Sequence, residues 1–83
     1  MTVTYDREAD AAYIYLDVPT KESVASTLTC DDDEAAGSFY LDIDKSGRLI
    51  GIEVLSAKRA LPESLLATAI PAGQILATLE IRK

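Results

Sequence analysis

Histidine and tryptophan are absent, and there is a single cysteine, Cys30. The usual zinc ligand sets, a cysteine and histidine nucleophile pair, and an intrachain disulfide therefore cannot be assembled. Long apolar runs are missing too, so no segment approaches the length needed to span a bilayer. Basic residues are few and scattered, 8 against 14 acidic ones, and the net charge of −6 would repel a phosphate backbone. Neither a membrane nor a nucleic acid is expected as a partner. The opening MTVTYDREAD has no basic stretch followed by an apolar run, which fits a cytoplasmic protein. The acidic balance serves solubility and by itself does not point to a basic partner.

The chain is 83 residues long, enough for one small core, and a single domain over residues 1–83 is expected. Cores this thin usually gain extra stability from disulfides, a metal or self-association. Two routes remain here, oxygen-ligand metals and oligomerisation.

Most of the chain reads with a period of two. Val3 and Tyr5 alternate with polar neighbours, and Arg7 to Asp10 then supplies a turn. In the next run Ala12, Ile14 and Leu16 share one face and Tyr13 and Tyr15 the other, until Pro19 ends it. A weaker strand covers Ser23 to Cys30, followed by the self-repelling acidic loop Asp31 to Glu34. The segment SFYLDIDKSGRLIGIEVL reads as a β-hairpin. Phe39, Leu41 and Ile43 alternate on one arm, Ile50, Ile52 and Val54 on the other, around a turn at Asp44 to Gly47. Gly51 inside the second arm marks a bulge or a close approach to the backbone.

After Leu55 the period changes. A helix is predicted from about Pro62 to Ala69, with Leu61, Leu65, Leu66 and Ala69 as its apolar stripe, and Pro71 stops it. The tail alternates again through Ile75, Ala77, Leu79 and Ile81, which predicts a C-terminal strand. The expected fold is α+β: a small two-layer domain, an antiparallel β-meander with one short helix packed on one face.

With those strands placed, YDREADAAYIYL and LDIDKSGRLIGIEVLSA resemble the two signatures of a family of small bacterial proteins labelled domain of unknown function twenty-two eighty-three. The residues that carry the resemblance are Tyr5, Asp6, Asp10, Ala11, Tyr13, Ile14 and Leu16, then Asp42, Asp44, Gly47, Leu49, Gly51, Ile52, Glu53, Val54 and Leu55. It extends to about Ala57 and implies a compact bacterial domain, with no activity or catalytic residue to transfer.

Three clusters invite a chemical reading. Asp42, Asp44, Ser46 and Glu53, with Gly47 between, match the spacing of a calcium loop, but the flanks have strand period where such a loop needs helices. An ordinary hairpin turn is the simpler reading. Asp6, Glu8 and Asp10 offer carboxylates for magnesium or acid-base work, yet alternating carboxylates in a turn are more often solvated, there is no histidine to work with them, and Asp6 suits a turn that caps its own backbone. Cys30 precedes the acidic run, which disfavours a thiolate and leaves a small buried hydrophobe as the expectation.

The remaining cluster is apolar. Tyr13, Tyr15 and Tyr40 lie on the sheet face opposite Ile14, Leu41 and Ile43, and with Leu49 and Leu55 they form a surface that a small monomer rarely leaves in water. A non-enzymatic interaction module that self-associates, as a homodimer, is the leading expectation, with a further protein partner in view. The alternative is a divalent-metal module or metal-dependent enzyme built on the carboxylates around Asp42, Asp44 and Glu53. No cofactor is expected.

Overall fold

A computed structural model describes residues 1–16 and 24–72. The alternating stretches form strands β1 (Thr2–Asp6), β2 (Ala11–Tyr15), β3 (Ser26–Cys30), β4 (Ser38–Ile43) and β5 (Leu49–Leu55). Two short helices follow, α1 (Ala57–Ala60) and α2 (Glu63–Ala67), and then a two-residue strand, β6 (Ile70–Pro71). All six strands join one sheet in the order β3-β4-β5-β2-β1-β6. The α+β class expected from the sequence is what the chain adopts.

The connectivity corrects the meander. Strands β1 and β2 form one antiparallel hairpin and β3, β4 and β5 an antiparallel triplet, but β5 docks on β2, so β2 and β3 are not neighbours. Side-chain register explains the choice. Pairing β2 with β5 sets Ala12 opposite Val54 and Ile14 opposite Ile52, which aligns the apolar rows of both units on one face. A further departure is that β6 runs parallel to β1, making the sheet mixed. Because β5 and β1 point the same way, a parallel β6 requires the chain to cross over a sheet face, and the helices are that crossover.

Two helices replace the single one expected. Leu61 precedes Pro62, and the proline ring disfavours the helical region for the residue before it; Leu61 is extended at φ −115° and ψ 151°. The apolar stripe is divided accordingly. Leu61 and Leu66 pack, with Tyr5, Phe39, Ile52 and Ala60, against a centre of Ala12, Val54 and Ala57, whereas Leu65 stays half-buried outside it. Val54 is 1% exposed, the largest fully buried side chain.

That core lies under β5, β2 and β1, which leaves the β3 side of the sheet open. Every residue of β3 is exposed, Leu28 by 54%. Cys30 is exposed as well, which corrects the expectation of a buried thiol, since nothing among the described residues covers that edge. The Asp31 to Glu34 loop is exposed as expected, with the Asp32 carboxylate accepting from the Glu34 N–H at 2.9 Å.

The hairpin turn has the chemistry its residues require. The Asp44 carboxylate accepts from the Ser46 and Arg48 N–H groups, each at 2.9 Å, and Gly47 takes φ 82°, a left-handed geometry that a β-branched residue resists. The predicted strand through Ile75 to Ile81 lies outside the described residues. Among those described, no helix is long and apolar enough to cross a membrane.

Candidate functional site: the tyrosine face

The sheet face away from the helices is built by cross-strand register. One row runs Thr4, Tyr13, Glu53, Tyr40, Thr29 across β1, β2, β5, β4 and β3. The next runs Thr2, Tyr15, Gly51, Asp42, Thr27. A third holds Asp6, Ala11, Leu55 and Ser38. All three predicted tyrosines therefore share one face with Leu55, as the alternation requires. Leu49, 39% exposed, sits further along β5 beside the irregular pairing between Asp42 and Ile43.

Tyr13 leaves its own row. Its ring crosses β5 above Gly51, and its hydroxyl donates to Asp42 Oδ2 on β4. Gly51 is there because a Cβ at that position would fall 2.1 Å from the Tyr13 hydroxyl oxygen and 2.6 Å from two ring carbons. Both sequence readings of Gly51 are realised: the β4–β5 register shifts directly after the Asp42–Gly51 pair, and an aromatic ring from the neighbouring strand fills the place of the missing side chain. Asp42 is held from the other side by Thr27, whose hydroxyl donates to Oδ1 at 2.6 Å. The lock spans four adjacent strands, β2, β5, β4 and β3.

Tyr15 packs beside Tyr13, ring centroids 4.4 Å apart and planes tilted by 49°. Burial and the hydrogen bond to Asp42 push the Tyr13 hydroxyl well above its ordinary pKa, and burial raises Tyr15 too, partly opposed by the Thr4 side chain. Both rings stay neutral across the physiological range. They border a shallow groove of about 240 Å³ whose rim also carries Asp6, Glu53 and Ala72.

The carboxylates of the metal reading are dispersed to other tasks. Asp42 is engaged through both oxygens, Asp44 caps the hairpin turn and pairs with Arg48 at 3.4 Å, and Glu53 projects from β5 between two tyrosines. Ser46 contributes its backbone N–H to Asp44. Among the described residues no three histidine, cysteine or acidic side chains gather as a metal site. In the other acidic cluster Asp6 accepts from the Glu8 and Ala9 N–H groups, the self-capping turn expected for it.

Sequence reasoning missed the role of Asp10. It takes a left-handed φ of 50°, and its Oδ1 accepts from the Tyr5 hydroxyl at 2.7 Å and from the Lys58 N–H at 3.0 Å. Its backbone carbonyl accepts from Ala57 at 3.0 Å. One residue thus ties the first hairpin to the start of α1. The hydrogen bond from Tyr5 is the largest cause holding the Asp10 carboxyl below its ordinary range, aided by the Lys58 N–H. No periodic signal announces such a contact, because Asp10 and Lys58 are distant in sequence.

These features define a small mixed-sheet α+β protein with helices on one face and a tyrosine and carboxylate surface on the other. The chain belongs to a family described as protein of unknown function (DUF2283), whose model matches residues 2–58. Among the curated proteins and the solved structures nothing matches. The matched stretch holds β1 to β5 and the first residues of α1, hence all three rows of the tyrosine face. Within it, the signature residues Tyr5, Asp10, Tyr13, Asp42, Asp44, Gly47 and Gly51 are occupied in locking the fold. Glu53 is different: it is exposed, and no hydrogen bond or ion pair among the described residues engages it.

Proposed function

We propose that the protein is a non-enzymatic interaction module that acts as a homodimer, joined through the edge strand β3. The observation that carries this reading is the nature of that edge. Residues 24–30, VASTLTC, contain no charge and no proline and are exposed throughout. Edge strands are normally blunted by lysine, proline, a bulge or a covering segment, and none of these stands on the described edge. Its outward N–H and C=O groups are a template for another strand. Antiparallel pairing of β3 with its own copy supplies one across a two-fold axis, the commonest symmetry of soluble oligomers.

The tyrosine face, with Tyr13, Tyr15, Tyr40 and Leu55 but without the expected Leu49, which is paired with Ile43 past the register shift, is the module's second surface and is less suited to pairing with itself. A two-fold axis through it would bring Glu53 and Asp6 toward like charges. Edge pairing instead continues the sheet and sets both tyrosine faces on the same side. The test is light scattering at micromolar concentration. The parent is expected to be a dimer, Leu28→Lys and Thr29→Pro monomers, and Tyr15→Glu still a dimer. A monomeric parent, or dissociation by Tyr15→Glu alone, would refute edge pairing.

A further inference from the structure

We infer that the tyrosine face is a docking surface for a cationic side chain, arginine above all, carried by a segment of a partner protein. The inference rests on the reading of the chain as an interaction module, but not on its being a dimer. It starts from the register: Glu53 stands directly between Tyr13 on β2 and Tyr40 on β4. A carboxylate with a tyrosine on each neighbouring strand, the Tyr13 ring leaning over Gly51 in the next row and lining the same groove, offers a guanidinium a forked ionic contact with an aromatic ring close by.

Three further features favour a cation. The six strands contain no lysine or arginine, so no described strand residue neutralises Glu53 or Asp6 in place. Of the other basic residues described, Arg7 lies in the turn that follows Asp6, and Lys58 and Arg59 sit on α1, which packs by Ala57 into the core on the opposite side of the sheet; among the described residues none of the three pairs with Glu53. Tyr13 is already pinned to Asp42 and stacked near Tyr15, so the wall of the groove is ordered before anything binds and little side-chain entropy is lost on docking.

Size separates a side chain from a metabolite. The groove, about 240 Å³ and open on one side, falls below the roughly 300–1,000 Å³ usual for small-molecule sites. One long side chain reaching from Asp6 across β2 to Glu53 matches it. A second copy of this chain is a poorer occupant, since the face would meet its own carboxylates.

The test is an NMR titration of uniformly labelled protein with a blocked pentapeptide carrying two arginines, run beside its citrulline counterpart, which keeps the shape and removes the charge. Shifts are expected at the amides of Tyr13, Tyr15, Tyr40 and Glu53, with the citrulline peptide weaker by about tenfold and the arginine peptide weakened severalfold by high salt. Glu53→Gln and Tyr40→Leu, neither of which breaks a hydrogen bond of the described fold, should each lower affinity by about threefold or more. Equal binding of the two peptides, absence of shifts at millimolar peptide, or shifts centred on the Asp31 to Glu34 loop would overturn the inference. Light scattering on the same samples reports the dimer separately. A dimer that ignores the peptide defeats only the docking site, and a monomer that binds it defeats only the edge pairing.

Discussion

Gly51→Ala is the sharpest perturbation of the lock that organises the tyrosine face. An added methyl would lie 2.1 Å from the Tyr13 hydroxyl oxygen and 2.6 Å from ring carbons, far inside contact distance, so the ring must swing away. The ring end is mobile in principle, but here it is tied to Asp42, and moving it breaks that bond. A hydrogen bond to a charged group contributes about 1.5–3 kcal/mol. Asp42 keeps Thr27 and access to water, which argues for the lower end. Disturbing the contact of Tyr13 with Tyr15 adds about 0.5 kcal/mol or more. Against this, replacing glycine by alanine inside a strand recovers about 0.5–1 kcal/mol of backbone entropy. The net expectation is destabilisation by about 1–2 kcal/mol, and at roughly 4–8 °C per kcal/mol for a domain this size the melting temperature should fall by about 4–16 °C. Thermal and urea melts measure it. In a Tyr13→Ala background the clash is gone, and Gly51→Ala should become neutral or stabilising. Equal cost in both backgrounds would refute the account, because a double-mutant cycle without coupling means that the two residues do not meet.

Acid should loosen the anchor at Asp10. Its carboxyl is held below the ordinary value of 3.8, so the stability it contributes is present above that pH and is lost as pH falls through the lower folded value. Asp44, depressed mainly by the Arg48 N–H, follows the same course. Melting temperature followed from neutral to acid pH should drop below about pH 4, and Asp10→Asn should shrink that drop while leaving the part due to Asp44. Leu66→Ala should cost about 2 kcal/mol in urea melts, the low end for a half-buried core leucine, and Leu65→Ala clearly less. The reverse ranking would mean that α2 is rotated on the sheet.

Local alternation was enough to place five strands, the Asp44 to Gly47 turn and the sharing of one face by Tyr13, Tyr15 and Tyr40, because a period of two fixes sidedness without reference to the rest of the chain. Strand order was not legible in that way. Docking of β5 on β2 depends on matching Ala12 with Val54 and Ile14 with Ile52, a comparison between two segments whose local patterns are each compatible with several neighbours. The break between α1 and α2 was in principle readable, since Leu61 precedes a proline, but the leucine stripe crosses that break and suggested one continuous helix. Cys30 misled for a related reason: its position in register with the apolar face is right, while its burial depends on where the helices stop.

The candidate site was half visible for the same reason. Alternation puts the tyrosines on one side, but it cannot show that Tyr13 reaches over Gly51 to a carboxylate two strands away. That contact converts Asp42 from a possible ligand into a clamp, and it leaves Glu53 as the carboxylate of the central row with no fold-locking bond among the described residues. A charge spent on holding strands together is unavailable to a partner, whereas one left exposed beside the pinned Tyr13 remains able to pair. Selection of Glu53 as the residue that meets a partner therefore follows from what its neighbours are already doing, rather than from anything in its own sequence context.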